Sequence, residues 1–168
     1  NLSAIAKGFG VDQIAEYLVA IGQANFMVEI GGEIRCLGKN RKGRYWRIGI
    51  LVPGEISDIY RSLELRDSAI ATSGDYRNYF ERDGRRYSHT IDPATGYPVT
   101  HRLASVSVIH TSCLVADAFA TAISVLGPEK GMTLAEKHRL PVLMILRTGE
   151  DFTGLTSRWF DGIITADD

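Results

Sequence analysis

A chain of 168 residues with 45% apolar and 23% charged side chains can bury one sizeable core without disulfide or metal staples. Its 19 basic and 20 acidic residues leave a net charge of −1 and are spread along the chain, which argues against a nucleic-acid footprint or a basic membrane-surface stripe. Two cysteines, Cys36 and Cys113, stand apart without CxxC or Cys/His spacing, a pattern that argues against zinc and leaves a disulfide undecided.

No apolar run approaches the roughly 20 residues of a membrane span, and no basic-then-apolar leader opens the sequence. The chain begins at NLSAIAKG without an initiator methionine, as expected if upstream sequence has been processed, cut or left out.

Ile5, Phe9, Ile14, Leu18 and Ile21 keep helical spacing, which predicts a helix from Ser3 to about Ile21 with Ser3 as N-cap and Gly22 as its end. Gly8 and Gly10 cost about 1 kcal/mol each relative to alanine inside a helix, so a close backbone approach is expected there. Lys7 beside them reads by itself as an ordinary solvated lysine.

Residues 26–30 and 33–38 read as strands joined at Gly31-Gly32, and 44–52 as a third with alternating character. The glycine pair is a hairpin turn or a place where a ligand presses against bare backbone. After Pro53-Gly54, residues 59–65 and 68–74 look like two more strands. Residues 72–76 (TSGDY) gather two hydroxyls, a glycine and an acid at a strand end, which alone signals a turn.

Residues 78–82 and 85–91 flank Asp83-Gly84, the strongest hairpin signal in the chain. The second strand runs into HTIDPATG, where Pro93 forces Asp92 out of helical conformation and Thr95-Gly96 closes a turn. His89 and Thr90 are thereby held at the lip of a sheet, and His89 serves either structure or catalysis.

Residues 103–110 alternate as a strand and lead into VADAFATAISVLG, 115–127, a helix of small and apolar residues that Gly127-Pro128 stops. On it Asp117 and Thr121 lie four apart, one above the other on one face. A buried acid needs a partner. Either Asp117 bonds locally and Thr121 bonds back to the carbonyl one turn earlier, or the two oxygens face a hard cation. A helix near 129–137, an apolar strand at 141–148 and the tail GEDFTGLTSRW follow. Adjacent strands before two late helices, without repeats or linkers, predict a single compact α+β domain with a mostly antiparallel sheet packed by helices.

Four segments taken together, NLSAIAKG, VEIGGE at 28–33, HTIDPATGYPV at 89–99 and DAFATA at 117–122, resemble the signatures of the ApbE family of FAD:protein FMN transferases, with ATSGDYRNYF at 71–80 as a fifth. The resemblance implies Mg²⁺-dependent cleavage of the FAD pyrophosphate and attachment of FMN to a threonine or serine of a partner protein, with release of AMP. Hydrolysis of FAD to FMN and AMP, and a flavin-binding carrier without turnover, are the alternatives it leaves. Carried over residue by residue, it makes Asp117, Thr121 and the backbone carbonyl of Ala4 the metal ligands. Lys7 becomes a charge near the pyrophosphate and His89 the base or proton shuttle. Flavin contacts fall to Ser3, Lys7, Gly31, Gly32, Ser73, Gly74, His89, Thr90, Ile91 and Asp92. The family commonly has aspartate where this chain has Asn1, and its members are about twice as long, so an N-terminal portion is expected to be absent here. The resemblance further suggests subunits of membrane redox complexes as acceptors and a periplasmic, lipid-anchored setting.

Overall fold

A computed structural model of the protein describes residues 2–74, 79–82, 85–88 and 90–160. Helix α1 (Ser3–Ala20) is followed by β1 (Phe26–Ile30), β2 (Glu33–Leu37), β3 (Trp46–Leu51), β4 (Ile59–Leu65) and β5 (Ala69–Gly74). Then come β6 (Tyr79–Arg82), β7 (Arg85–Ser88), β8 (Leu103–His110), α2 (Cys113–Lys137), β9 (Val142–Thr148) and β10 (Asp151–Thr156). Six strands form one sheet in the order β1-β2-β5-β8-β9-β10, antiparallel at every pairing. The α+β class read from the sequence is therefore the observed one.

The sheet lies between two layers, and its period-2 alternation shows which residues face which. Val106, Val108, Val142 and Met144 pack with Ala116, Ala120 and Ile123 of α2. Their neighbours Ile109, Leu143 and Ile145 face Ile48, Ile50, Leu63 and Leu65 of the β3–β4 ribbon on the other side. Burial on both faces explains why 103–109 and 142–146 are buried at every position.

Several boundaries differ from expectation for identifiable reasons. Ser3 is not the N-cap: Leu2 holds that position, its carbonyl accepting the Ile5 N–H at 3.1 Å, and Ser3 already lies in the first helical turn. The tail expected after residue 148 contains β10, which pairs with β9 through a turn at Gly149 (φ 66°). It is a mostly exposed edge strand, so it lacks the apolar alternation that marks a strand in sequence. Gly127 (φ 76°, ψ −180°) and Pro128 do end the first helical segment of α2, and a second segment runs on beyond the kink. β6 and β7 pair with Arg82 opposite Arg85; the expected Asp83-Gly84 turn lies outside the described residues, as do Asn1 and His89.

The larger departure is the orientation of α1. The apolar stripe that predicted the helix is not its buried face, since Phe9, Ile14 and Ile21 are half exposed while Gly8, Val11, Asp12 and Ala15 are buried. What turns these small residues inward is contact with α2. An ideal Cβ on Gly8 would lie 2.5 Å from the Cys113 carbonyl oxygen and 2.8 Å from Asp117 Cβ, so only glycine admits this approach. Asp12, 6% exposed, serves as a second cap for α2. Its carboxylate accepts the N–H groups of Cys113 and Leu114, each at 3.0 Å, the Ser112 hydroxyl at 2.7 Å and the Arg35 guanidinium at 2.7 Å. Ser112 itself accepts the Val115 N–H at 3.3 Å. A negative charge at a helix N-terminus is favourable on two counts, through the unpaired N–H groups and the helix dipole. Among the described residues no helix is long and apolar enough to cross a membrane.

Replacing Gly8 with alanine should destabilise the protein by about 1–3 kcal/mol despite the better helix propensity of alanine, because the added methyl meets backbone. Urea unfolding measures this, and unchanged stability would contradict the tight contact. Burial raises the Asp12 pKa, but the donors around the carboxylate outweigh burial and hold it below the ordinary aspartate value. A depressed folded pKa gives stability that is present above the unfolded value and lost as pH falls through the folded one. Asp12→Asn should thus cost about 1.5–3 kcal/mol near neutral pH, with the gap to wild type closing in acid; a gap independent of pH would count against the assignment.

Candidate functional site

Four elements converge where α1 crosses α2. Helix α1 supplies Lys7 and Gly8, α2 supplies Asp117 and Thr121, the β1–β2 turn leads into Glu33, and β5 ends at Ser73 and Gly74. The turn is tight because Gly31 and Gly32 both adopt positive φ (59° and 99°), and an ideal Cβ on Gly31 would lie 3.2 Å from Lys7 Cδ. The pair is therefore a hairpin turn, and the Lys7 side chain lies against its backbone.

Asp117 is 3% exposed, and its Oδ2 accepts the Gly8 N–H at 3.0 Å. In a helix the N–H of residue 8 faces the carbonyl of residue 4. The Asp117 carboxylate thus meets α1 one helical turn after Ala4. Thr121 lies one turn along, with its hydroxyl 3.3 Å from that of Ser73. The local alternatives for these two residues give way to long-range contacts between helices and from helix to strand.

Glu33 is 1% exposed and belongs to the same cluster. The Lys7 ammonium stands 2.8 Å from its Oε1 in hydrogen-bond geometry and 2.7 Å from Oε2, where the contact is an ion pair without such geometry. Burial pushes the Glu33 pKa up; Lys7 opposes the shift through its hydrogen bond and charge, the negative charge of Asp117 adds to it, and the net direction is upward. Asp117 is likewise raised by burial, against the pull of the Gly8 N–H and the Lys7 charge. The Lys7 charge thus opposes the effect of burial at both carboxylates without reversing either shift.

The side-chain donors gathered here are oxygens, and among the described residues no three of His, Cys, Asp and Glu group as a metal cage. Thr90, Ile91 and Asp92 belong to a lobe between β7 and β8 that has hydrogen bonds of its own. The Thr90 carbonyl accepts the Val99 N–H at 3.0 Å, Asp92 Oδ1 accepts the Ala94 N–H at 2.9 Å, and Ile91 bridges to Pro98. Ser3 lies in the first turn of α1, close in sequence to Ala4 and Lys7. Glu33 and Asp12 were not singled out from sequence. An acid directly after the paired glycines was the available signal for Glu33, whereas nothing local marks Asp12.

The ApbE family model matches residues 1–144. An FAD:protein FMN transferase of Vibrio cholerae is 53% identical over 161 residues, covering 95% of this chain and 48% of the relative. One of Haemophilus influenzae is 46% identical over 162 residues, covering 95% and 47%. Among solved structures, the apo flavinyl transferase ApbE of Pseudomonas stutzeri superposes with a TM-score of 0.86 at 45% identity, over 96% of this chain and 50% of that one. The flavin transferase ApbE of Vibrio cholerae gives 0.87 at 49% identity, over 98% and 52%. The chain spans about half the length of the relatives it matches, and with most of its residues inside the family model and the same fold in solved members, it belongs to the ApbE family.

Proposed function

We propose that this chain carries the diphosphate site of a flavin transferase, which moves FMN from FAD to a threonine or serine hydroxyl of a protein and releases AMP. The observation that carries the reading is the pair of buried carboxylates beside the α1–α2 crossing, Glu33 against the Lys7 ammonium and Asp117 against the Gly8 N–H. Such a site gains when a cation enters, and a dinucleotide diphosphate brings the further oxygens a cation needs. The relatives' names support the choice of FAD as the diphosphate.

In this reading Asp117, Thr121 and the Ala4 carbonyl hold Mg²⁺, which when bound supplies charge neutralisation on the phosphate oxygens. Lys7, half exposed and tethered by Glu33, presents its ammonium to the non-bridging oxygens. His89 accepts the proton of the acceptor hydroxyl as that oxygen attacks the phosphorus on the riboflavin side. The new P–O bond forms as the bond to the adenylate phosphate breaks, and AMP departs with the electron pair. Ser3, Gly31, Gly32, Ser73, Gly74, Thr90, Ile91 and Asp92 flank the flavin and its phosphate. The acceptor is a protein with an accessible hydroxyl, such as a subunit of a membrane redox complex. The apolar residues exposed along one side of α1, Phe9, Ile14, Tyr17 and Ile21, support a working unit in which further ApbE-type polypeptide covers that side.

Asp117→Ala tests the reading. With FAD, Mg²⁺ and a threonine-bearing acceptor peptide, AMP release and peptide-bound FMN should fall by about a hundredfold or more, and residual activity should lose its dependence on Mg²⁺. Undiminished flavinylation by the variant, measured by mass spectrometry of the peptide, would refute the metal assignment.

A further inference from the structure

In an α-helix the carbonyl of Ser124 would accept the N–H of residue 128. That residue is Pro128, which has none. Gly127, in a conformation open essentially to glycine alone (φ 76°, ψ −180°), has also turned the chain off the helical path. Into this gap comes His101, whose Nε2 lies 2.9 Å from the Ser124 carbonyl oxygen. A carbonyl only accepts, so Nε2 carries the proton. Nδ1 is buried without a hydrogen-bond partner among the described residues. The fit extends to the glycine, because an ideal Cβ on Gly127 would lie 2.7 Å from His101 Cδ2.

His101 stands at the foot of the lobe closed by the Ile91–Pro98 bridge and the Val99-to-Thr90 hydrogen bond. Its other partner is the helix that carries Asp117 and Thr121. We infer that His101 is a positioning residue: by replacing the hydrogen bond that Pro128 cannot make, it holds the lobe bearing Thr90, Ile91 and Asp92 in fixed relation to α2. The functional consequence rests on the flavin-transferase reading, in which lobe and helix hold two parts of one substrate, flavin and diphosphate, and their spacing selects its bound conformation.

Two substitutions separate anchoring from simple helix capping. His101→Phe keeps a ring and loses the donor, whereas His101→Gln places an amide N–H within reach of the same carbonyl. Hydrogen exchange followed by mass spectrometry should show the Asp92 and Val99 amides of His101→Phe exchanging about tenfold faster, with protection restored in His101→Gln. If His101→Phe does not fold, Gly127→Ala, which drives a methyl into the imidazole, should loosen the same two amides. Faster exchange confined to α2, with 90–99 as protected as in wild type, would overturn the inference. In the activity arm, His101→Phe should raise KM for FAD by about tenfold with kcat nearly unchanged, and equal losses in the phenylalanine and glutamine variants would likewise overturn it. A wild-type protein that releases no AMP would instead refute the transferase reading, while the exchange arm still decides the anchoring.

Discussion

The structure depends on how closely α1 approaches α2 at Gly8. With no side chain there, the Cys113 carbonyl and Asp117 come within van der Waals reach of the α1 backbone, and the Asp117 carboxylate takes a main-chain N–H from the other helix. That one contact sets three others. It brings Asp12 under the start of α2, it places Asp117 beside the Lys7–Glu33 pair, and it turns the small-residue face of α1 inward. The two ends of the interface are electrostatically opposite. Near the start of α2, Asp12 is so well supplied with donors that its negative charge is stabilised despite burial. About a turn further on, Asp117 and Glu33 are undersupplied and their ionised forms are penalised.

Such an imbalance is costly in a molecule of marginal stability. Buried carboxylates without sufficient donors raise the free energy of the folded state at neutral pH, and the surrounding three-layer core has to offset it. Rigid elements carry the donors: two helices, the end of a central strand and a glycine turn, rather than long loops.

Much of this was legible in the sequence because the relevant signals are local. Strand alternation, the Gly31-Gly32 turn, the break at Gly127-Pro128 and the i, i+4 pair Asp117 and Thr121 all depend on neighbours in the chain. The glycine in the first helix was correctly read as a sign of close approach, although its partner could not be named. What escaped depends on partners distant in sequence. Asp12 caps a helix about 100 residues away, which no pattern around Asp12 encodes. Glu33 reads as an ordinary strand residue until Lys7 is seen beside it. The stripe on α1 predicted the helix but not its buried face, because helical periodicity marks which residues share a face, not which face meets the core. The edge strand β10 is half polar and mostly exposed, so its only strong signal is the pairing itself.

The central claim is that Asp117 and Glu33 hold more negative charge than Lys7 and the Gly8 N–H can balance. The direct measurement is a carboxylate titration by ¹³C NMR in metal-free protein and again with Mg²⁺. The account predicts that both groups titrate above their ordinary values without metal and that Asp117 moves down when Mg²⁺ is added. Titration of both at or below ordinary carboxylate values, unchanged by Mg²⁺, would contradict it.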